Sequence, residues 1–170
     1  MNRKHTIENY IDIYKTLKKI NSNIEFSSDF IIGYPGEQDK DFEDTLSLID
    51  KVNFVNSYSF IFSPRPGTTA SSLKEIDKKI SEQRLKIIQK KLFDIQIKKN
   101  RSIEGTLVNV LVENQMKDKI KLFGRTELMN PVIFNGDVAK IGSIVKVKIE
   151  SSNQNTLFGT IVENYKKKVA

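Results

Sequence analysis

The sequence predicts an α/β half followed by an all-β half, joined by one long basic helix. Three observations carry this. Apolar residues recur at three- and four-residue steps over residues 6–20 and 39–51, and a short apolar run follows each. A lysine-rich helical pattern covers residues 77–101. Beyond Gly105 the apolar period shortens to two. The order helix, strand, helix, strand argues for βαβ geometry and a parallel sheet. Five short strands separated by Asn, Gly and Asp turns argue for a small antiparallel barrel.

The first helix places Ile7, Tyr10, Ile11, Tyr14 and Leu17 on one face, with Thr6 able to cap its start. Asn21-Ser22-Asn23 breaks the pattern, and residues 24–33 end in an apolar run bounded by Gly33 and Pro35. That run reads as a strand buried on both faces of a parallel sheet. In the second helix Phe42, Leu46, Ile49 and Val52 share a face, and Asp39 and Asp41 sit in the first turn, where the helix dipole favours anions. Val55 to Phe62 is the second strand, ended by Ser63-Pro64-Arg65-Pro66-Gly67-Thr68. Loops at the carboxyl ends of parallel strands are where α/β folds bind ligands, so Gly33–Glu37 and Ser63–Thr68 form the first candidate site.

In the long helix Leu85, Ile88, Leu92 and Ile95 line one face, while Lys86, Lys90, Lys91, Lys98 and Lys99 crowd the rest. The barrel strands are 107–112, 120–125, 131–134, 144–149 and 156–162, with Phe123 and Phe134 expected to fill its core. The expected domains are therefore 1–76, the connecting helix 77–103, the barrel 104–165 and a basic tail 166–170 containing Lys166, Lys167 and Lys168.

The chain of 170 residues has no cysteine and one histidine, His5. It therefore supplies no disulfide, thiolate nucleophile, or thiolate ligand to zinc or iron–sulfur, and no multi-histidine metal site. No apolar run approaches the ~20 residues of a membrane helix, and no signal-peptide pattern follows Met1, so a cytoplasmic address is expected. Net charge is +7, but it is uneven. Residues 1–76 carry 9 basic and 11 acidic side chains, residues 77–103 carry 9 and 3, and residues 104–170 carry 10 and 7. A basic back half suits a polyanion such as RNA.

Three strings then stand out in order. Asp29-Phe30-Ile31-Ile32-Gly33-Tyr34-Pro35-Gly36-Glu37, followed by Asp41-Phe42 and Thr45-Leu46, resembles a stretch of radical S-adenosylmethionine methylthiotransferases. Tyr58 to Thr68 resembles the signature of the MiaB branch, which modifies tRNA. Gly124-Arg125-Thr126, with Asn130, Val132 and Phe134, is similar to the core of the TRAM domain. Even Met1-Asn2-Arg3 looks like a string internal to full-length members, with His5 where Tyr is usual.

The resemblance implies the end of a radical SAM partial (β/α) barrel plus an OB-like TRAM barrel. The six cluster-binding cysteines of the family would belong to a preceding part. The complete enzyme uses two [4Fe–4S] clusters and S-adenosylmethionine to methylthiolate C2 of N6-dimethylallyladenosine beside the tRNA anticodon. Ile31, Gly33 and Gly36 would border S-adenosylmethionine, the glycines allowing close backbone approach. Arg65 would pair with a carboxylate or phosphate over the barrel mouth. Lys121, Arg125 and Lys146 would hold the tRNA anticodon arm. The chain alone is expected to be inactive or unstable, or to complement a separate N-terminal polypeptide, because it lacks every ligand for iron and its first strand would expose an edge. Two other readings stay open: a stand-alone RNA-binding protein, and a piece of the methylthiotransferase for threonylcarbamoyladenosine in tRNA.

Overall fold

The structure is a computed structural model that describes residues 4–162. The lysine tail at 166–170, the end of the expected barrel at 163–165 and the string Met1–Arg3 lie outside the described residues. The chain forms two compact units, divided between Ile95 and Gln96. Among the described residues no helix is long and apolar enough to cross a membrane.

The first unit begins with α1 (Ile7–Ile20), whose first turn is capped by Thr6 accepting the Asn9 N–H. Strand β1 (Asp29–Ile32) leads into α2 (Asp39–Val52), then β2 (Tyr58–Ile61), one 3-10 turn (Thr69–Ser72) and the start of α3 (Lys78–Ile103). At the start of α2 the Gln38 N–H donates to Asp41 Oδ2 at 2.8 Å. Asn53, in the left-handed region at φ 55°, closes the other end. Strands β1 and β2 pair in parallel, Asp29 opposite Tyr58 through Ile32 opposite Ile61. The ladder is shorter than the extended segments expected from the sequence. Outside it, residues 26 and 55 share one backbone bond, Val55 N–H to Phe26 O at 2.8 Å.

The parallel sheet is buried on one face only, which corrects the expectation of two buried faces. Phe30 and Ile32 join Ile11, Phe42, Ile49, Val52, Phe54, Ile88 and Leu92 in one core. Alternate residues point the other way: Ile31 is 38% exposed, Phe60 53% and Tyr58 66%. With only two strands, the sheet packs one face on the helices of this unit, and among the described residues its other face is left partly exposed.

The second unit is a closed barrel of β3 (Leu107–Gln115), β4 (Lys121–Thr126), β5 (Pro131–Asn135), β6 (Ile144–Ser152) and β7 (Leu157–Ile161), in spatial order β3-β4-β5-β7-β6. The barrel is mixed, not purely antiparallel: β5 and β7 run parallel. A ring with an odd number of strands cannot alternate direction all the way round, so at least one parallel pair is unavoidable. Val110, Val112, Leu122, Val132, Phe134, Val147, Ile149 and Leu157 fill the interior. Phe134 belongs to this core, as expected, but Phe123 does not. Leu122 and Gly124 face inward, so Phe123 between them faces out. The end of α3 is tied to the barrel by Asn100, only 2% exposed, whose amide donates to the carbonyls of Asn153 (2.8 Å) and Gln154 (2.9 Å).

Candidate nucleic-acid interface

In the first unit the candidate loop follows β1. The Glu37 N–H donates to Tyr34 O at 2.9 Å and closes a tight turn. The Gly33 N–H donates to Glu37 Oε2 at 2.9 Å. Gly33 has φ +74°, and a Cβ there would run into the Oγ of Ser81 on α3. The close approach at Gly33 is thus made by a helix of the same unit. Around Gly36 the space is open, and Ile31 lies on the exposed sheet face beside Phe60. Arg65 is exposed; its carbonyl accepts the Thr68 N–H (3.2 Å) and hydroxyl (2.8 Å), closing the second loop.

A residue the sequence reading missed holds the first loop in place. Arg84 of α3 is 6% exposed, yet it carries a full charge. Its Nη1 lies 2.6 Å from Glu37 Oε1 and its Nη2 2.6 Å from Asp39 Oδ1. Its guanidinium sits 5.3 Å from the centre of the Phe42 ring. Burial by itself pulls the Arg84 pKa down, but the bonds to Asp39 and Glu37 outweigh it and the net shift is upward. The available signal was an arginine, in a helix otherwise rich in lysine, four residues before the apolar Ile88 on the buried face.

The residues present do not fit an iron–sulfur cluster. There is no thiol, and among the described residues no group of three His, Asp or Glu could hold a metal ion. The Gly33 N–H itself is committed to Glu37.

On the barrel, the string Gly124-Arg125-Thr126…Asn130 divides by role. Gly124 lies under the Leu111 carbonyl and has no room for a Cβ, beside a bulge in β3 between Val112 and Asn114. Thr126 and Asn130 close the β4–β5 turn: Asn130 N–H donates to Thr126 Oγ1 at 3.1 Å, and Asn130 is 5% exposed. Those three positions build the fold. Arg125 is the member whose side chain reaches the surface, 38% exposed. It lies 2.5 Å from Glu113 Oε2 and 5.1 Å above the Phe123 ring. A half-exposed pair of this kind contributes about 1 kcal/mol or less, and a cation over an aromatic face a similar amount.

Lys121, Phe123 and Arg125 are spaced two apart on β4 and share the outward side of the barrel. Lys146 does not join them. It lies on β6 opposite Asn109 of β3, on the far side of β3 from β4. So the structure brings two of the three expected RNA-binding cations together with one aromatic ring.

Comparison with known proteins adds two findings. The model of the TRAM domain matches residues 101–162. The chain is 65% identical over 170 residues, all of its length, to the tRNA-2-methylthio-N(6)-dimethylallyladenosine synthase of Pelagibacter ubique (strain HTCC1062), covering 38% of that protein. It is 44% identical over 163 residues to the synthase of the same name from Ruthia magnifica subsp. Calyptogena magnifica. Against that of Clostridium novyi (strain NT) the identity is 41% over 164 residues. These last two matches take 95% of this chain and 37% and 36% of the relatives. The chain thus spans a little over a third of the length of the curated relatives it matches, in their C-terminal part.

Proposed function

We propose, from the premise that this chain carries a TRAM domain and is related throughout to the C-terminal part of tRNA methylthiotransferases, that its barrel is an RNA grip. The partner is tRNA at its anticodon arm, and the grip serves a methylthiolation whose cluster and S-adenosylmethionine chemistry belongs to a thiolate-bearing part of the relatives. The first unit, with its exposed sheet face at Ile31, Tyr58 and Phe60, lines one side of the substrate enclosure. Arg65 and the Gly36 turn stand at the loop end of that sheet. A separate N-terminal polypeptide carrying the cysteines is the complement this reading calls for, in the cytoplasm where tRNA is modified.

The observation that carries the reading is the β4 surface of the matched domain, where Lys121 and Arg125 flank Phe123. Cations supply sequence-independent attraction to phosphate, and an aromatic face accepts an unstacked base.

A filter-binding titration of the purified chain with a tRNA anticodon stem-loop tests it. Log Kobs is expected to fall linearly with log salt. Lys121→Glu and Arg125→Glu are each expected to weaken binding and to make that slope shallower by about one phosphate contact. Binding that is absent, or indifferent to salt, overturns the reading.

A further inference from the structure

We infer that the outward stripe of α3 in the first unit, formed by Lys79, Gln83, Lys86 and Lys90, is a second contact for tRNA and takes the phosphate backbone of its paired stem. This rests on the RNA-grip reading and goes further, because it adds a surface outside the matched domain, which begins at residue 101. At 3.6 residues per turn the stripe falls within a sector of about 60° of the helix. All of its members are exposed. Ser81, Arg84, Ile88 and Leu92 are buried and lie on the opposite side of the helix.

The carboxylates flanking the stripe are already matched. Glu82 pairs with Lys78 at 3.8 Å and Asp94 with Lys90 at 2.6 Å. Lys91, beside the stripe, pairs with Asp50 of α2 at 2.6 Å. At the helix start Asp77 accepts the Lys79 N–H at 2.8 Å. Among the described residues the Lys79 and Lys86 side chains have no ion pair. Lys86 and Lys90 stand one turn apart, where like charges repel. Gln83, one turn after Lys79, stands where a glutamate would have closed an ion pair. Lys79 and Lys86 thus present uncompensated charge to solvent, and an anionic partner relieves both the repulsion and the vacancy.

The chemistry of the partner follows from the composition of the stripe. Residues 79–90 contain no aromatic ring on which a base could stack. Ammonium groups on long stems act as point charges and suit phosphate. Lys79 to Lys90 spans about 16 Å of helix axis at 1.5 Å per residue. A paired stem offers regularly placed phosphates over such a length, without the cost of ordering a loose strand. Duplex RNA is held through its backbone rather than its bases, which is the contact these side chains can make.

Filter binding of the purified chain to a tRNA anticodon stem-loop, to the stem duplex alone and to the loop sequence as a single strand separates the contacts. Lys79→Glu and Lys86→Glu are each expected to weaken stem-loop and duplex binding by about three- to ten-fold. Each is expected to make the salt slope shallower by about one phosphate contact, with single-strand binding nearly unchanged. Gln83→Lys is expected to do the reverse, tightening duplex binding and steepening the slope. Neither glutamate opposes the helix: one falls in the first turn, and the other precedes Lys90 by one turn. Circular dichroism of both variants is therefore expected to match the parent. If all these variants bind the stem-loop as the parent does while Lys121→Glu weakens it, the stripe is overturned and the barrel grip stands. If the duplex is ignored and phosphatidylserine vesicles bind instead, released by the same variants, the face is a lipid contact and the proposal falls. If no RNA binds at all, the underlying reading falls with it.

Discussion

Arg84 and Glu37 are 47 residues apart in the chain, and their side chains meet at 2.6 Å, almost out of water. The carboxylate is shared: one oxygen takes the guanidinium, and the other takes the Gly33 N–H at 2.9 Å. One ion pair thereby ties the turn after β1 to α3.

Removing one partner of such a pair strands the other without water. Arg84→Met is expected to cost about 3–5 kcal/mol of unfolding free energy in a urea titration. Glu37→Met in the Arg84→Met background is expected to recover part of that loss. The second partner, Asp39, has a side chain 94% exposed, so Asp39→Asn is expected to cost well under ~1 kcal/mol. An Asp39→Asn loss as large as that of Arg84→Met would refute this ranking.

Gly33 carries two separable constraints. An alanine there would sit in the left-handed region, at about 1–2 kcal/mol, and would also overlap Ser81, at about 1–3 kcal/mol. Ser81→Gly relieves only the overlap. A double-mutant cycle is expected to show a favourable coupling of at least about 1 kcal/mol between Gly33→Ala and Ser81→Gly. Strict additivity would mean that α3 does not press on the turn.

The two phenylalanines of the barrel are expected to respond unequally. Phe134→Ala empties part of a closed core and is expected to cost about 3–5 kcal/mol. Phe123→Ala loses half-buried outer surface and one cation contact, at about 1 kcal/mol. Denaturation of both variants, side by side, checks the order.

Asp118 stabilises the turn between β3 and β4 through a pH-dependent bond. Its carboxylate is held below the ordinary value of 3.8, first by the Lys121 N–H and then by that of Ile120, against a small opposing effect of burial, with the Lys121 charge adding a little. A lowered folded pKa contributes stability that is complete above the unfolded value and disappears as pH falls through the folded one. Protection of the Ile120 and Lys121 amides, relative to their intrinsic exchange at each pH, is therefore expected to fall on acidification below about pH 4. In Asp118→Asn, which still accepts but does not titrate, exchange is expected to show no such step. A step that persists in the variant would assign it to another group.

Much of this protein was legible along the chain. Helix spacing in Ile7–Leu17 and Phe42–Val52, the Pro and Gly loops at 33–37 and 63–68, and strict alternation in Ile144–Ile149 are local patterns. Each element depends mainly on neighbours a few residues away, so the order of elements, the change of architecture and the TRAM strings can be read residue by residue. So can the absence of any thiolate here for iron.

Tertiary structure alone decided the rest, because these features depend on which distant residue arrives opposite. Leu122-Phe123 is apolar on both counts, and only closure of the barrel sends Leu122 inward and Phe123 out to meet Arg125. Arg84 reads as one more cation on a basic helix until Glu37 is brought to it. Lys146 matches Lys121 and Arg125 in charge, yet its pairing with Asn109 puts it on the far side of β3. Periodicity is written in a strand one residue after another, whereas facing and partnership are set by strands that the chain reaches later.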